Sequence, residues 1–167
     1  MDAADLLVDA FGRIRDSVHE AVAGLTAEQL TTRPDDRANS IAWLVWHLTR
    51  IQDDHVADAA GAEQLWHRNG WMERFALPFE PLATGYGHTP DDVAAVRVDS
   101  PDLLTGYHDA VHERTTAYLA GLSTADLDRV VDDSWDPPVT LGVRLVSVVN
   151  DDMQHVGQAA FVRGLLS

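Results

Sequence analysis

Residues 40–60 read SIAWLVWHLTRIQDDHVADAA. Apolar residues fill most of the first half of this segment, and acidic residues appear only in the second half. Asn39 or Ser40 suits an N-cap, because a short polar side chain can accept a hydrogen bond from a free backbone N–H of the first turn. We therefore predict a long, largely buried helix that ends near Ala60. Its apolar run, residues 41–48, is far shorter than the roughly 20 residues that cross a bilayer.

Three further segments have the apolar spacing or the start signals of a long amphipathic helix. They are residues 4–23, 90–121 and 140–164. Thr89-Pro90 is a strong helix start, because proline suits the first helical position. Thr140 is an N-cap candidate for the last helix. An interruption at Ser100-Pro101 falls inside the third segment.

Residues 61–89 are the least regular part of the chain, since glycine and proline interrupt them repeatedly. We predict that this segment is a long crossover between two helices. Strand-like alternation is not evident over any useful length. The sequence therefore predicts an all-α fold, an antiparallel four-helix bundle, in a single domain spanning residues 1–167. Another all-α packing is the alternative.

Composition excludes several classes of function. The net charge is −15, which disfavours nucleic acid and anionic membranes as partners. Every basic residue is arginine, so Schiff-base chemistry on a lysine is excluded. Cysteine is absent, and any metal must therefore be bound through nitrogen and oxygen. The N-terminal residues lack the basic region of a signal peptide, and we expect a cytoplasmic protein.

His47 is the first candidate for chemistry, because its helical neighbours are nearly all apolar and its ring should be buried. A core histidine that binds a backbone carbonyl would show the same pattern, and the pattern alone favours that interpretation. Asp151 and His155 are four residues apart and can bind a common ion from one helix face. Arg144 belongs to the same polar stripe, which could equally be a solvent-exposed face.

The other histidines give weaker signals. His108 and His112 have a spacing that can bind metal, but the glutamate of a protease motif is missing and we predict that they lie at the surface. We also predict that His19 and His67 are exposed.

Two segments could border a pocket. Asp54 and His55 follow His47 on the same helix and could border a pocket, but a surface location is the preferred interpretation. His88 belongs to the glycine-rich loop 85–88, which could close over a site.

The sequence resembles the DinB-like superfamily over nearly its whole length. The matching features are Trp46-His47-Leu48 and the pattern Asp151-x-x-x-His155-x-x-Gln158. In that family, one histidine of the second long helix and two ligands four residues apart on the last helix hold a divalent metal ion. The resemblance implies that His47, Asp151 and His155 bind one such ion. Many members have histidine at the position of Asp151, and the mycothiol-dependent maleylpyruvate isomerases have glutamate.

Two histidines and one carboxylate leave coordination positions open, as in catalytic metal sites. We expect zinc, and nickel, iron(II) or manganese would accept the same ligands. A thiol at an open position loses its proton readily. The resemblance implies that this thiol is a low-molecular-weight cofactor, mycothiol or bacillithiol, transferred to a small electrophile in detoxification or stress. It also implies a possible homodimer.

Further residues are candidates for binding the substrates. They are Arg144, Trp43 and Asp54, with Trp66, Trp71 and Tyr86 as possible apolar walls. Arg144 could hold an anionic group of the thiol or pair with Asp151, and the pairing is the preferred interpretation. Two other functions remain open: a hydrolase in which the ion activates water, and a non-catalytic metal-binding stress protein.

Overall fold

The computed structural model describes residues 1–166. Its helices in chain order are α1 (Ala3–Val22), α2 (Ala27–Thr31), α3 (Ile41–Ala60), α4 (Leu65–Arg68), α5 (Trp71–Phe75), α6 (Pro90–Ala95), α7 (Pro101–Ala120) and α8 (Leu141–Leu165). A 3-10 helix (Thr124–Asp128) and an antiparallel pair of short strands, β1 (Val130–Asp132) and β2 (Val139–Thr140), precede α8. The four long helices confirm the all-α four-helix bundle.

The predicted starts of the helices on which the candidate ligands lie are confirmed by their caps. Ser40 accepts a hydrogen bond from the backbone N–H of Trp43 at the start of α3. Thr140 accepts one from Val143 at the start of α8. The prediction of one helix over 90–121 is wrong, because α6 and α7 are separated at residues 96–100. Pro101 explains the break, since the residue before a proline is pushed into extended backbone.

Helix directions differ from those of a wholly antiparallel bundle. In the α3–α7 pair, Arg50 contacts Tyr107 and Ala59 contacts Tyr118, so the two helices run parallel. In the α3–α8 pair, Asp58 contacts Arg144 and His47 contacts His155, so these helices run antiparallel. Two adjacent parallel helices need a connection that returns along the bundle, and the long segment between α3 and α7 supplies it.

Buried charged residues of α3 hold this crossover in place. Asp53 accepts hydrogen bonds from the backbone N–H groups of Leu65 at 3.0 Å and Trp66 at 2.8 Å. Arg50 donates to the carbonyl of Ala83 at 3.0 Å. Both charged side chains are fully buried, where hydrogen bonds to charged groups contribute most. The beginning and the end of the crossover are thus fixed to the same helix.

Trp66 and Trp71, expected as pocket walls, belong instead to the packing around Tyr107. Their ring centroids lie 5.3 and 5.6 Å from that of Tyr107. Within residues 1–166, none of the helices combines the length and the hydropathy that crossing a membrane requires.

Candidate metal centre

Three candidate ligands converge where α3 packs against α8. His47 lies in the second turn of α3, and Asp151 and His155 lie one turn apart on α8. One possible ligand atom from each residue lies within 4.8 Å of the other two. No other group of three such side chains occurs in the described part of the chain.

Hydrogen bonds orient both imidazole rings and fix their tautomers. His47 donates from Nδ1 to the carbonyl oxygen of Thr84 at 2.5 Å. His155 donates from Nδ1 to the carbonyl oxygen of Asp151 at 2.8 Å. Because a carbonyl oxygen can only accept, Nδ1 carries a proton in each ring, and in the neutral form of the ring Nε2 has the lone pair. This arrangement is common for histidines that bind metal ions.

Asp151 supplies a carboxylate oxygen that the protein leaves unsatisfied. Its Oδ2 is buried and has no hydrogen-bond partner among the described residues. It lies 3.3 Å from Nδ1 of His155, whose proton already serves the backbone carbonyl. An unsatisfied buried oxygen is unfavourable, and a cation beside it would remove that cost. The donor set of two neutral imidazoles and a carboxylate fits a divalent ion.

Ionisation of His47 and Asp151 suits metal binding, whereas at His155 a cation would have to displace a proton. Burial lowers the pKa of His47, so its ring is neutral at neutral pH. Burial alone would raise the pKa of Asp151, but the attraction of His155 outweighs it and the pKa is lowered. Burial alone would lower the pKa of His155, and its contacts with Asp151 raise it. A divalent cation needs a neutral imidazole and an ionised carboxylate.

The loop before α6 covers His47. A Cβ atom at position 85 would lie 2.7 Å from Nδ1 of His47 and 3.1 Å from the rings of Trp43 and Trp46. Gly85 also has φ +95°, which favours glycine. The close approach of the loop brings the carbonyl of Thr84 to His47, so Gly85 is required for the orientation of this ligand.

Aromatic and imidazole rings surround the site. Trp43 stacks on His47 with ring centroids 4.5 Å apart. The indole N–H of Trp43 donates to Nδ1 of His88 at 3.1 Å. His88 and Tyr86 line the same cavity as the three candidate ligands. The glycine-rich loop 85–88, which we predicted could close over a site, therefore lies beside the candidate metal centre. We call this space, of about 370 Å³, the ligand cavity.

A second cavity of about 360 Å³ adjoins the ligand cavity, since Tyr86 and Asp151 line both. It lies between α3, the β1–β2 hairpin and α8, and we call it the hairpin cavity. His55 and Trp135 are among its lining residues, and the sequence did not identify Trp135 as a site residue.

Two of the proposed substrate-binding residues have partners that were not expected. Arg144 pairs with Asp58 at 2.9 Å and lies 3.8 Å from Asp132, so the expected pairing with Asp151 is wrong. Arg144 does line the hairpin cavity. Asp54 accepts a hydrogen bond from Gln64 at 2.6 Å and lines neither cavity.

The predicted surface location of the remaining histidines is wrong in most cases. His108 is fully buried, and neither ring nitrogen has a hydrogen-bond partner among the described residues. His112 and His67 are half-buried, each with one buried ring nitrogen that lacks a partner within residues 1–166. His19 is also half-buried and lies 2.8 Å from the Asp109 carboxylate.

The sequence pattern of the DinB superfamily matches residues 10–159, and the chain belongs to this superfamily. It is similar to a structure described as the conserved protein of a locus from Enterococcus faecalis, at 33% identity and a TM-score of 0.91. The alignment covers 98% of this chain and 96% of that one.

The fold is also similar to that of YfiT from Bacillus subtilis, at 17% identity and a TM-score of 0.64. That alignment covers 99% of this chain and 90% of YfiT, which is described as a probable metal-dependent hydrolase with an unusual four-helix bundle topology. No curated protein matches this chain.

Proposed function

We propose that the protein is a metal-dependent enzyme that binds one divalent cation through His47, Asp151 and His155. Its reaction is the transfer of a low-molecular-weight thiol to a small electrophile. The observation that carries the proposal is the buried, unsatisfied Oδ2 of Asp151 beside two histidines whose Nε2 atoms retain their lone pairs. Zinc is the expected ion, and nickel, iron(II) and manganese accept the same ligands.

A divalent cation at this position would lower the pKa of a bound thiol or water by stabilising its anion. The protein's part is to hold the ligands and to shape the space beside them. Thr84 fixes the ring of His47, and the backbone of α8 fixes that of His155. Trp43 covers one face of His47 and limits access of water from that side.

His88 is suited to contact a substrate in the ligand cavity. The indole N–H of Trp43 donates to its Nδ1, so that nitrogen accepts and the neutral ring carries its proton on Nε2. Burial lowers the pKa of His88, which favours this neutral form. His88 thus offers a hydrogen-bond donor to a substrate in the ligand cavity. The three candidate metal ligands in that cavity would instead donate their lone pairs to the ion.

The thiol is supported by composition and by the family resemblance. A protein without cysteine cannot form a mixed disulfide with a thiol cofactor. Mycothiol and bacillithiol are the candidate cofactors, in detoxification or stress. In the transfer, the sulfur forms a bond to the electrophilic carbon, the leaving group departs with its electron pair, and the thiol proton passes to solvent.

A metal-dependent hydrolase is the second candidate, favoured by the similarity to YfiT. Hydrolysis needs a group that accepts a proton from water. His55 lines the hairpin cavity, and burial lowers its pKa, so its ring is neutral near pH 7 and able to accept a proton.

We also propose that the protein is a cytoplasmic homodimer. Analytical ultracentrifugation tests whether the protein is a dimer.

Elemental analysis and a thiol-transfer assay separate these possibilities. We expect about one metal ion per chain and metal-dependent transfer of mycothiol or bacillithiol to 1-chloro-2,4-dinitrobenzene, measured by absorbance. Ester hydrolysis that requires the metal but not a thiol would instead identify a hydrolase. Protein that binds metal and accelerates neither reaction would favour the non-catalytic stress protein.

A further inference from the structure

The hairpin cavity presents aromatic side chains to solvent at its mouth. Tyr86 is 91% exposed and Trp135 is 66% exposed, although both are large and partly apolar. Leaving such rings exposed gives up the free energy that burial would release. Aromatic rings also stack favourably on other aromatic rings. The mouth is therefore suited to an aromatic ligand that covers both side chains.

The walls and volume of the cavity suit a small ligand. Ile51, Val139 and Val148 contribute apolar surface, and the volume of about 360 Å³ lies near the lower end of the range of ligand cavities in proteins. Asp151 belongs to the same lining. A ligand in this cavity would therefore lie next to the proposed metal centre, where a thiol would be activated.

The charges around the hairpin cavity disfavour an anion. Arg144 is the one arginine among its lining residues, and its guanidinium already pairs with Asp58 and lies near Asp132. In the proposed complex, the charges of Asp151, a divalent ion and a thiolate cancel. The remaining charges are those of Arg144, Asp58 and Asp132, and they leave a net charge of −1 around the cavity.

We propose that the hairpin cavity binds the electrophile and that this substrate is an uncharged aromatic molecule. The inference rests on the proposed transferase function. It assigns the ligand cavity to the thiol and the hairpin cavity to its acceptor. With an aryl chloride as the acceptor, a carbon–sulfur bond forms, the carbon–chlorine bond breaks, chloride leaves, and the thiol proton passes to solvent.

Direct binding tests the cavity without requiring turnover. The probe is 1,3-dinitrobenzene, which has an electron-poor ring and no leaving group. Its binding to the metal-loaded full chain, saturated with mycothiol, is measured by isothermal titration calorimetry. The charged counterpart is 3,5-dinitrobenzoate, and we expect it to bind at least about tenfold more weakly because of the carboxylates around the cavity.

Two pairs of variants locate the binding site. Trp135→Ala removes an aromatic ring from the mouth, and Phe161→Ala removes one that is 68% exposed and lines neither cavity. Val143→Glu introduces a charge into the lining, and Val146→Glu introduces it at a 60% exposed position that lines neither cavity. We expect Trp135→Ala and Val143→Glu to weaken binding of the probe by about fivefold or more. The two controls should bind as the unmodified protein does.

Metal content and transfer kinetics distinguish this inference from the proposed function. All four variants should keep their metal, and the two cavity variants should raise KM for 1-chloro-2,4-dinitrobenzene without raising KM for the thiol. Equal effects in cavity and control variants, or equally tight binding of the benzoate, would overturn the cavity assignment even if transfer is observed. Loss of transfer with the binding pattern intact would overturn the transferase function and keep the aromatic binding site.

Discussion

Two histidine clusters occupy different interfaces of the bundle. His47 and His155 lie between α3 and α8, and His108 and His112 lie on α7, which packs against α1. Both clusters include a histidine at least nine-tenths buried. In the first cluster, carbonyl oxygens fix the ring tautomers and Asp151 completes the group. In the second, neither nitrogen of His108 has a partner within residues 1–166.

Burial and helical spacing therefore do not separate a candidate metal site from a structural histidine. Asp151 and His155 have the same separation along the chain as His108 and His112. The two clusters differ in what the rest of the fold brings to them. A carbonyl that orients the ring and a carboxylate without another partner favour metal binding.

The largest expected effect follows from replacing a ligand of the first cluster. His47→Ala should reduce the metal content from about one ion per chain to nearly none and abolish thiol transfer, because the ligand from α3 is lost. His112→Ala is the matched control, and it should retain both metal and activity. Elemental analysis of the two variants measures the difference. Full metal content in the His47 variant would show that the first cluster is not the site.

Neighbouring carboxylates on α8 provide the second test. Asp151→Asn should weaken the affinity for zinc by more than about 100-fold. Replacing a residue that only hydrogen-bonds a metal ligand already lowers metal affinity by about 10–100-fold, and Asp151 is itself a proposed ligand. Asp152→Asn should leave the affinity unchanged, because Asp152 does not belong to the metal-binding group. Competition with a chromophoric chelator measures both constants. Similar losses in the two variants would indicate a general disturbance of α8.

The second cluster predicts a dependence of stability on pH. Burial, together with the charge of His112, lowers the pKa of His108 to about 3. Between about pH 6.5 and pH 3, the unfolded chain binds a proton that the folded chain does not, so stability falls as the pH falls. From pH 7 to pH 5, this residue should remove about 2 kcal/mol of the free energy of unfolding.

His108→Leu isolates that contribution, because the other histidines are unchanged in the comparison. Urea denaturation at pH 7 and pH 5 should show a smaller loss for the variant, by about 2 kcal/mol. An identical loss in both proteins would mean that His108 is protonated equally in the folded and unfolded states.

The loop over His47 gives the smallest of the predicted effects. Gly85→Ala and Gly87→Ala both place a side chain at positive φ, but only position 85 contacts His47 and the neighbouring tryptophans. Both variants should lose about 1 kcal/mol or more of stability from backbone strain. Gly85→Ala should in addition weaken zinc affinity by about tenfold, because the new methyl group would disturb the hydrogen bond between His47 and the carbonyl of Thr84. Zinc titration of both variants would show equal affinities if the contact with His47 is unimportant.

Local signals predicted most of the bundle. The caps at Ser40 and Thr140 and the apolar spacing of the long helices depend only on nearby residues, and the structure has these helices. The parallel direction of α3 and α7 depends on how the crossover packs, which no local pattern encodes. The break before Pro101 was visible as an interruption, although the helix was predicted to continue through it.

The candidate site was only partly predictable for the same reason. The spacing of Asp151 and His155 places them on one helix face, and the family resemblance joins them to His47. The contact of Thr84 and Gly85 with His47 comes from a distant segment. The partners of Arg144, which are Asp58 and Asp132, likewise follow from tertiary packing. Burial of His108 reflects the packing of α7 in the bundle, which the spacing of His108 and His112 could not show.

An anomalous diffraction experiment at the zinc edge, on crystals of the zinc-loaded protein, tests the central claim most directly. One strong peak should lie between His47, Asp151 and His155, with zinc–nitrogen distances of about 2.0–2.1 Å to the two Nε2 atoms. No peak should lie beside His108 and His112. A peak at that second cluster, or none among the three proposed ligands at full zinc loading, would contradict the assignment of the metal site.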